Sequence, residues 1–241
     1  GIDGALFIEL SDDGEFLYAS GYLENSISWF ERNSSTGGLN YLGKLSDGIN
    51  GVDGLSNSMG LTFSNDEQFV YVSSNGDNAV SWFDRNSTSG SLTFRGLVKD
   101  GVDGVDGIKG TWRNCLSKDQ KHLYAVGSGD NAVAWFDRNE STGNLTFLGL
   151  LRDGLGGIDG LSNAQSLALS NDDKWLYITS TGDHSVAWFE RNSSSGNLTF
   201  KGIVKDGQNG VSGILGASDI QISNDNRFTY ITSNDSNTIT F

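Results

Sequence analysis

Proline is absent from this chain of 241 residues, cysteine and methionine occur once each, and histidine occurs twice. A single cysteine, Cys115, excludes an intramolecular disulfide, and without a Cys cluster there is no thiolate zinc site. No apolar run approaches the ~18 residues of a membrane-spanning helix, so membrane insertion is not expected. Basic residues are also scarce: 16 Lys and Arg stand against 30 Asp and Glu, a formal net charge of −14. Such a chain lacks the positive surface that binds phosphate backbones, which removes nucleic acid as a partner. Helical periodicity is missing too, since no stretch of helical length carries a 3.6-residue apolar pattern. The chain opens at Gly1 without an initiator Met or a signal peptide, which reads as a processed chain or a piece of a longer one.

Glycine, by contrast, is abundant at 33 residues, alongside 11% aromatic and 36% hydrophobic residues. Glycine at that level without a G-X-Y period points to many tight turns, and the aromatic content allows a sizeable core. The pattern beneath it is a repeat. Trp-Phe occurs at Trp29-Phe30, Trp82-Phe83, Trp135-Phe136 and Trp188-Phe189, a constant step of 53 residues. Gly1, Gly54, Gly107, Gly160 and Gly213 keep that step, as do Tyr18, Tyr71, Tyr124, Tyr177 and Tyr230. Residues 54–106 and 160–212 agree at 30 of 53 positions. The chain is therefore one domain of four full units, 1–53, 54–106, 107–159 and 160–212, and a partial fifth, 213–241.

One unit resolves into four short strands. In 54–106, Leu61 and Phe63 alternate with polar residues before the turn "SNDEQ". "FVYVSS" and "AVSWFDR" are rich in β-formers and flank "NGDN", where Gly76 is expected to supply a positive φ. "LTFRGLV" follows the polar loop "NSTSG". Short β-branched or aromatic runs bounded by Gly, Asn, Asp and Ser read as strands. Four antiparallel strands recurring at this period define an all-β fold, a β-propeller of four-stranded blades. Five blades with an incomplete last one are expected. A three-stranded last blade in a closed ring is the simplest arrangement. A larger parent chain and completion by a second copy in a homo-oligomer are the others.

The segment "LSNDDKWLYITSTGDHSVAWFERNSSSGNLTF", residues 169–200, resembles the lactonase-like β-propeller family of the 6-phosphogluconolactonase type. Repeats of that family read as a Ser-Pro-Asp-Gly turn, a Leu-Tyr-Val strand, a Gly-Asp-Asn turn and a Thr-Gly-x-Leu-Thr hairpin. The likeness runs the length of the chain. The family proline is replaced by Asn65, Asn171 and Asn224, and by Asp12 and Lys118. The family has seven blades where this chain has material for fewer than five complete ones. No catalytic motif of the family carries over residue by residue.

Loops between blades and between second and third strands share one face, here called the top. Half of the acidic residues fall there, so the top carries a negative potential that attracts cations or basic partners. The densest stretch is Asp100-Gly-Val-Asp103-Gly-Val-Asp106. Its oxygens make Asp100, Asp103 and Asp106 the expected ligands of a calcium ion, although the spacing is not that of an EF-hand. No other cofactor is expected. The units differ most at the top end of the inner strand: Ala5-Leu6-Phe7, Ser58-Met59-Gly60, Thr111-Trp112-Arg113, Ala164-Gln165-Ser166 and Ala217-Ser218-Asp219. Asn114 stands where the other units have Ile8, Leu61, Leu167 and Ile220, and a polar residue at a core position needs a partner. Trp112, Arg113, Asn114, Gln165 and Asp219 are the expected ligand-binding residues at the mouth of the central channel. His122, His184 and Cys115 show no spacing from which a nucleophilic triad follows. Six of the seven N-x-[ST] sequons belong to the repeated hairpins, and they carry glycans only in a eukaryotic secretory host.

Regular repeats suit equivalent contacts. The chain therefore reads first as a non-catalytic module, extracellular or at the surface of a bacterium, that presents its top face to a glycan or a protein. A lactonase-like hydrolase or cyclase acting at the channel mouth is the alternative. It ranks second on sequence alone because an enzyme needs differentiated convergent groups, and only unit three shows them.

Overall fold

The computed structural model describes residues 2–241; Gly1, the first of the glycine series, lies outside the described residues. Each unit is one sheet whose strands pair in sequence order, every neighbour antiparallel. In blade two these are Ser58–Phe63, Phe69–Ser74, Ala79–Arg85 and Leu92–Lys99. Four sheets have four strands and the last has three, with no helix among the described residues. The expected five-bladed all-β propeller is what the chain forms.

The pleat assigns each blade two faces. Tyr71 lies opposite Trp82, and Val70 opposite Phe83, and successive residues of a strand point to opposite sides. Tyr71 and Trp82 are buried with Leu123, Ala134 and Phe136 of the next blade. Val70 and Phe83 are buried with Tyr18 and Trp29 of the preceding one. The other two layers join blades three and four and blades four and five. Phe83, Phe136 and Phe189 are fully buried, and Trp29, Trp82 and Trp135 nearly so. These tryptophans are core, not exposed sugar platforms. Each indole packs closely against a cross-strand glycine; a Cβ at Gly96 would come within 2.7 Å of the Trp82 ring. Phe30 and Trp188 are only half-buried, because each faces an end where the neighbouring blade is absent or cut short.

Those two ends remain open. Ile8 is 65% exposed where its equivalent Ile220 is 1% exposed, and Tyr230 is 46% exposed where Tyr71 is inaccessible. No hydrogen bond or ion pair among the described residues joins blade one to blade five. The expected closed ring is thus not sealed at that seam.

The turn between second and third strands differs from expectation. Its left-handed residue is Asn78, at φ 55°, and not Gly76. Asn25, Asn131, His184 and Asn237 take the same conformation. Gly76 answers a need for space: a Cβ there would meet Ser56 Oγ and Asn57 Oδ1 at 2.6 Å.

Candidate functional site at the propeller axis

The inner strands Ala5–Leu10, Ser58–Phe63, Thr111–Leu116, Ala164–Leu169 and Ala217–Ile222 surround the axis. In every blade the register between inner and second strand breaks at the same place, for instance between Ser58 and Leu61 and between Ala217 and Asp219. A bulge re-aims side chains and ends regular pairing. Here it falls on the variable triplets.

The last residues of the five triplets occupy one equivalent position, and they converge. The Arg113 guanidinium lies over the Phe7 ring, 4.5 Å from its centroid. Its Nη2 donates to Asp219 Oδ2 at 3.1 Å. Ser166 Oγ donates to Asp219 Oδ1 at 2.7 Å, which also accepts the Ile220 N–H at 2.9 Å. Gly60 leaves room for this packing, since a Cβ there would lie 3.1 Å from the Trp112 carbonyl oxygen and 3.2 Å from Arg113. Two residues further along the strands lie Glu9, Thr62 and Gln221. Together they bound a cavity of about 310 Å³ to which all five blades contribute. Partial desolvation along the channel wall, not enclosure, raises the Glu9 carboxyl above the usual carboxylate range, with Arg113 pulling it back. The side chain keeps an open path to solvent.

Of the residues expected at the channel mouth, Arg113 and Asp219 are brought together. Trp112 and Gln165 sit half-buried at the neighbouring register position and do not line the cavity. Asn114 lines it but spends its amide on the core, donating from Nδ2 to Ser73 Oγ at 2.8 Å. Its buried Oδ1 has no partner among the described residues. Phe7, Ser166 and Glu9 were not singled out from the sequence. Reading the third triplet position as one column, and not each triplet as a block, would have found the first two.

The acidic loops form three equivalent trios: Asp47, Asp53 and Asp77; Asp100, Asp106 and Asp130; Asp153, Asp159 and Asp183. Asp100 and Asp106 therefore meet, but with Asp130 and not with Asp103. Asp103 occupies a left-handed turn position, φ 51°, equivalent to Asn50 and Asn209, and its side chain faces solvent. The trios also tie loops down: Asp100 Oδ1 accepts the Ile108 N–H at 3.2 Å and Asp130 Oδ2 the Lys109 N–H at 3.1 Å. A cation reaches each one. Lys99 Nζ is 3.1 Å from Asp77, Arg152 Nη2 is 2.8 Å from Asp106, and Lys205 Nζ is 2.7 Å from Asp159.

The remaining candidates are structural. His122 is buried against Arg191, Nη2 to Nδ1 2.9 Å, and burial together with that cation holds its imidazole below the ordinary value. His184 Nδ1 accepts the Gly216 N–H at 3.0 Å, the task Asn78 performs for Gly110. Cys115 packs between blades three and four, where burial pushes its thiol well up and keeps it a poor nucleophile. The sequon residue Asn86 folds its own hairpin, its Oδ1 accepting the N–H groups of Thr88 and Ser89. A larger hollow of about 740 Å³ lies at the rim between blades two and three. Arg85 is held by Tyr18 and Glu67, with its buried Nη2 lacking a partner among the described residues, and Arg95 pairs with Asp84.

Blades of one repeated pattern around a chemically uneven axis define a β-propeller with a differentiated cavity at its centre. The family described as "Lactonase, 7-bladed beta-propeller" matches residues 3–102 and 110–210, and the chain belongs to that family. An uncharacterized protein of Staphylococcus aureus strain USA300 is 28% identical over 144 residues, 60% of this chain and 40% of that protein. The chain thus spans well under two thirds of the length of the curated relatives it matches. The periplasmic gluconolactonase PpgL of Pseudomonas aeruginosa is similar in structure, with a TM-score of 0.76 at 20% identity over 96% of this chain and 64% of that one. A Lactobacillus plantarum protein gives 0.77 at 16% identity, covering 98% and 69%. A candidate 6-phosphogluconolactonase of Bacteroides fragilis gives 0.75 at 18% identity, covering 95% and 64%.

Proposed function

We propose that this protein hydrolyses the cyclic esters of sugar acids in its axial cavity. The observation that carries the reading is the convergence of Arg113, Asp219, Ser166 and Phe7 from four blades onto one point. Membership of the lactonase family and likeness to a gluconolactonase support it over the non-catalytic reading that the repeats alone favour.

Opening a lactone requires water to attack the acyl carbon, so negative charge develops on the carbonyl oxygen. A preorganised donor aimed at that oxygen is usually the largest contribution to such a step. Arg113 has five N–H donors, and Asp219 orients the guanidinium by engaging one arm. Glu9, in the same cavity, is the group placed to take the proton from the attacking water. A carboxyl raised above its usual range is a better base. The new C–O bond forms from water, the ring C–O bond breaks, and the proton passes from Glu9 to the ring oxygen as it leaves. Phe7 supplies an apolar wall for the sugar ring.

The test is hydrolysis of gluconolactone, corrected for the spontaneous reaction, by the parent and by Arg113→Met. The expected result is turnover by the parent and a loss of ~10²–10³ in kcat in the variant, with an unchanged melting temperature. Parental turnover by Arg113→Met would remove Arg113 from the chemistry. Ring binding without turnover by the parent would return the module to the non-catalytic glycan-binding reading.

A further inference from the structure

We infer that the cleft between blades four and five receives the guanidinium of an arginine carried on an extended peptide. The cleft, of about 410 Å³, lies on the face opposite the acidic loops and shares no lining residue with the axial cavity.

The same slot exists at the three preceding blade junctions, and there an arginine fills it. Arg85, Arg138 and Arg191 are buried, and each donates from Nε to a tyrosine hydroxyl of the preceding blade, Tyr18, Tyr71 or Tyr124, at 2.7–2.8 Å. Arg85 lies over the Phe16, Tyr18 and Phe63 rings. Arg191 also donates from Nη2 to Asp119 at 2.9 Å and from Nη1 to Asp173 at 2.7 Å. Steps of 53 residues carry these positions onto Asp172, Trp175, Tyr177, Ile222 and Asn226, and all five line the cleft. Asn226 puts an amide where Asp173 has a carboxylate, but Gln120 stands there too and holds Arg138 Nη1 through its carbonyl oxygen at 3.1 Å.

The third strand of blade five, Thr238–Thr240, brings no arginine to this slot. The Tyr177 hydroxyl makes no hydrogen bond among the described residues. Burial and then the Asp172 charge raise it, whereas an arginine offsets burial at Tyr18, Tyr71 and Tyr124. Two cations stand beside the cleft. Arg227 lies over the Phe228 ring, 5.5 Å from its centroid, and Lys174 Nζ is 3.7 Å from Asp172 with its side chain 70% exposed. The backbone beside the slot is open as well. Arg85, Arg138 and Arg191 donate their own N–H groups at 2.8 Å to the carbonyl oxygens of Gln68, Lys121 and Lys174, just before the second strand of the same blade. The equivalent carbonyl, that of Arg227, accepts no such bond among the described residues, and Thr229 lies beyond the pairs that Thr238–Thr240 makes. An extended peptide can therefore add main-chain bonds at this edge while its side chain enters the slot. Aromatic faces, a carboxylate and a hydroxyl acceptor suit a planar, forked guanidinium better than an ammonium.

The experiment titrates the isotope-labelled chain with a capped peptide of the sequence 189–193, Phe-Glu-Arg-Asn-Ser, and follows amide shifts by NMR. The expected result is binding, with shifts gathered at residues 170–177 and 226–230. The Arg191→Met version of the peptide should not bind, and the Arg191→Lys version should bind more weakly. In the chain, Asp172→Asn and Tyr177→Phe should each weaken the arginine peptide about tenfold or more; if either variant fails to fold, the peptide series on the parent chain decides. Equal affinity for the Arg and Met peptides, parental affinity in both variants, or no binding at all overturns the inference. Agmatine, a free guanidinium compound, should bind more weakly than the peptide, and equal affinity overturns the peptide as the source of the guanidinium.

Discussion

Arg138 donates from Nε to the hydroxyl of Tyr71 at 2.7 Å, and that hydroxyl donates in turn to the Gly143 carbonyl oxygen at 2.9 Å. The three residues belong to two blades. The same link recurs at Tyr18, Arg85 and Gly90 and at Tyr124, Arg191 and Gly196. Burial pushes the Tyr71 hydroxyl up to about 12 even with the arginine beside it, so the phenol stays a donor throughout the neutral range. Tyr71→Phe removes two hydrogen bonds and leaves Arg138 Nε buried without a partner. The expected cost is ~1–3 kcal/mol in urea denaturation. Tyr230→Phe, on the exposed face of blade five, is expected to be nearly neutral, and equal costs at the two positions would refute the interblade role.

The tryptophan column gives a graded expectation. Trp82 is 6% exposed in the layer between blades two and three, so Trp82→Ala should cost ~3–5 kcal/mol as a large-to-small core change. Trp188 is half-buried because blade five stops short of covering it. Trp188→Ala should therefore cost clearly less. Paired denaturation curves measure the difference.

His122 makes stability depend on pH. Burial first, and then the Arg191 charge, hold its imidazole below the ordinary His value. The unfolded chain thus binds its proton at higher pH than the folded one does. The associated stability is present above the unfolded value, near 6.5, and is lost as pH falls below it. His122→Phe places at this position the residue found at Phe16, Phe69 and Phe228. Melting temperatures between about pH 7 and 5 should fall less steeply in the variant; parallel slopes would show that other groups control the decline.

Arg152 reaches two members of the trio formed by Asp100, Asp106 and Asp130. Its Nη2 lies 2.8 Å from Asp106 and 3.6 Å from Asp130. Burial, and then the Asp130 charge, raise the Asp100 carboxyl above its ordinary range. With Arg152 present, millimolar calcium or a chelator is expected to leave the melting temperature unmoved. Arg152→Ala leaves three carboxylates facing one another, and calcium should then raise its melting temperature by mass action on the folded state. A calcium-dependent melt of the parent would instead support an ion at the trio alongside the arginine.

The sequence by itself determined the blade. The 53-residue step, the alternation around Tyr71 and Trp82, and the turn residues between strands are local patterns, and pleat geometry converts them directly into two buried faces. It also marked the triplets at which the blades diverge. Only the tertiary structure decided what those differences amount to. Arg113 and Asp219 are 106 residues apart, and no local pattern states that their strands approach a common axis or that a bulge turns both side chains toward it. Asn114, conspicuous in the sequence, was claimed by Ser73. Asp103 lost its place in the acidic trio to Asp130, which arrives from a different loop. Periodicity specifies the faces of a repeat because each face is satisfied by its neighbour; a site at the axis draws one residue from each of several repeats, so its composition emerges only when the blades are set around it.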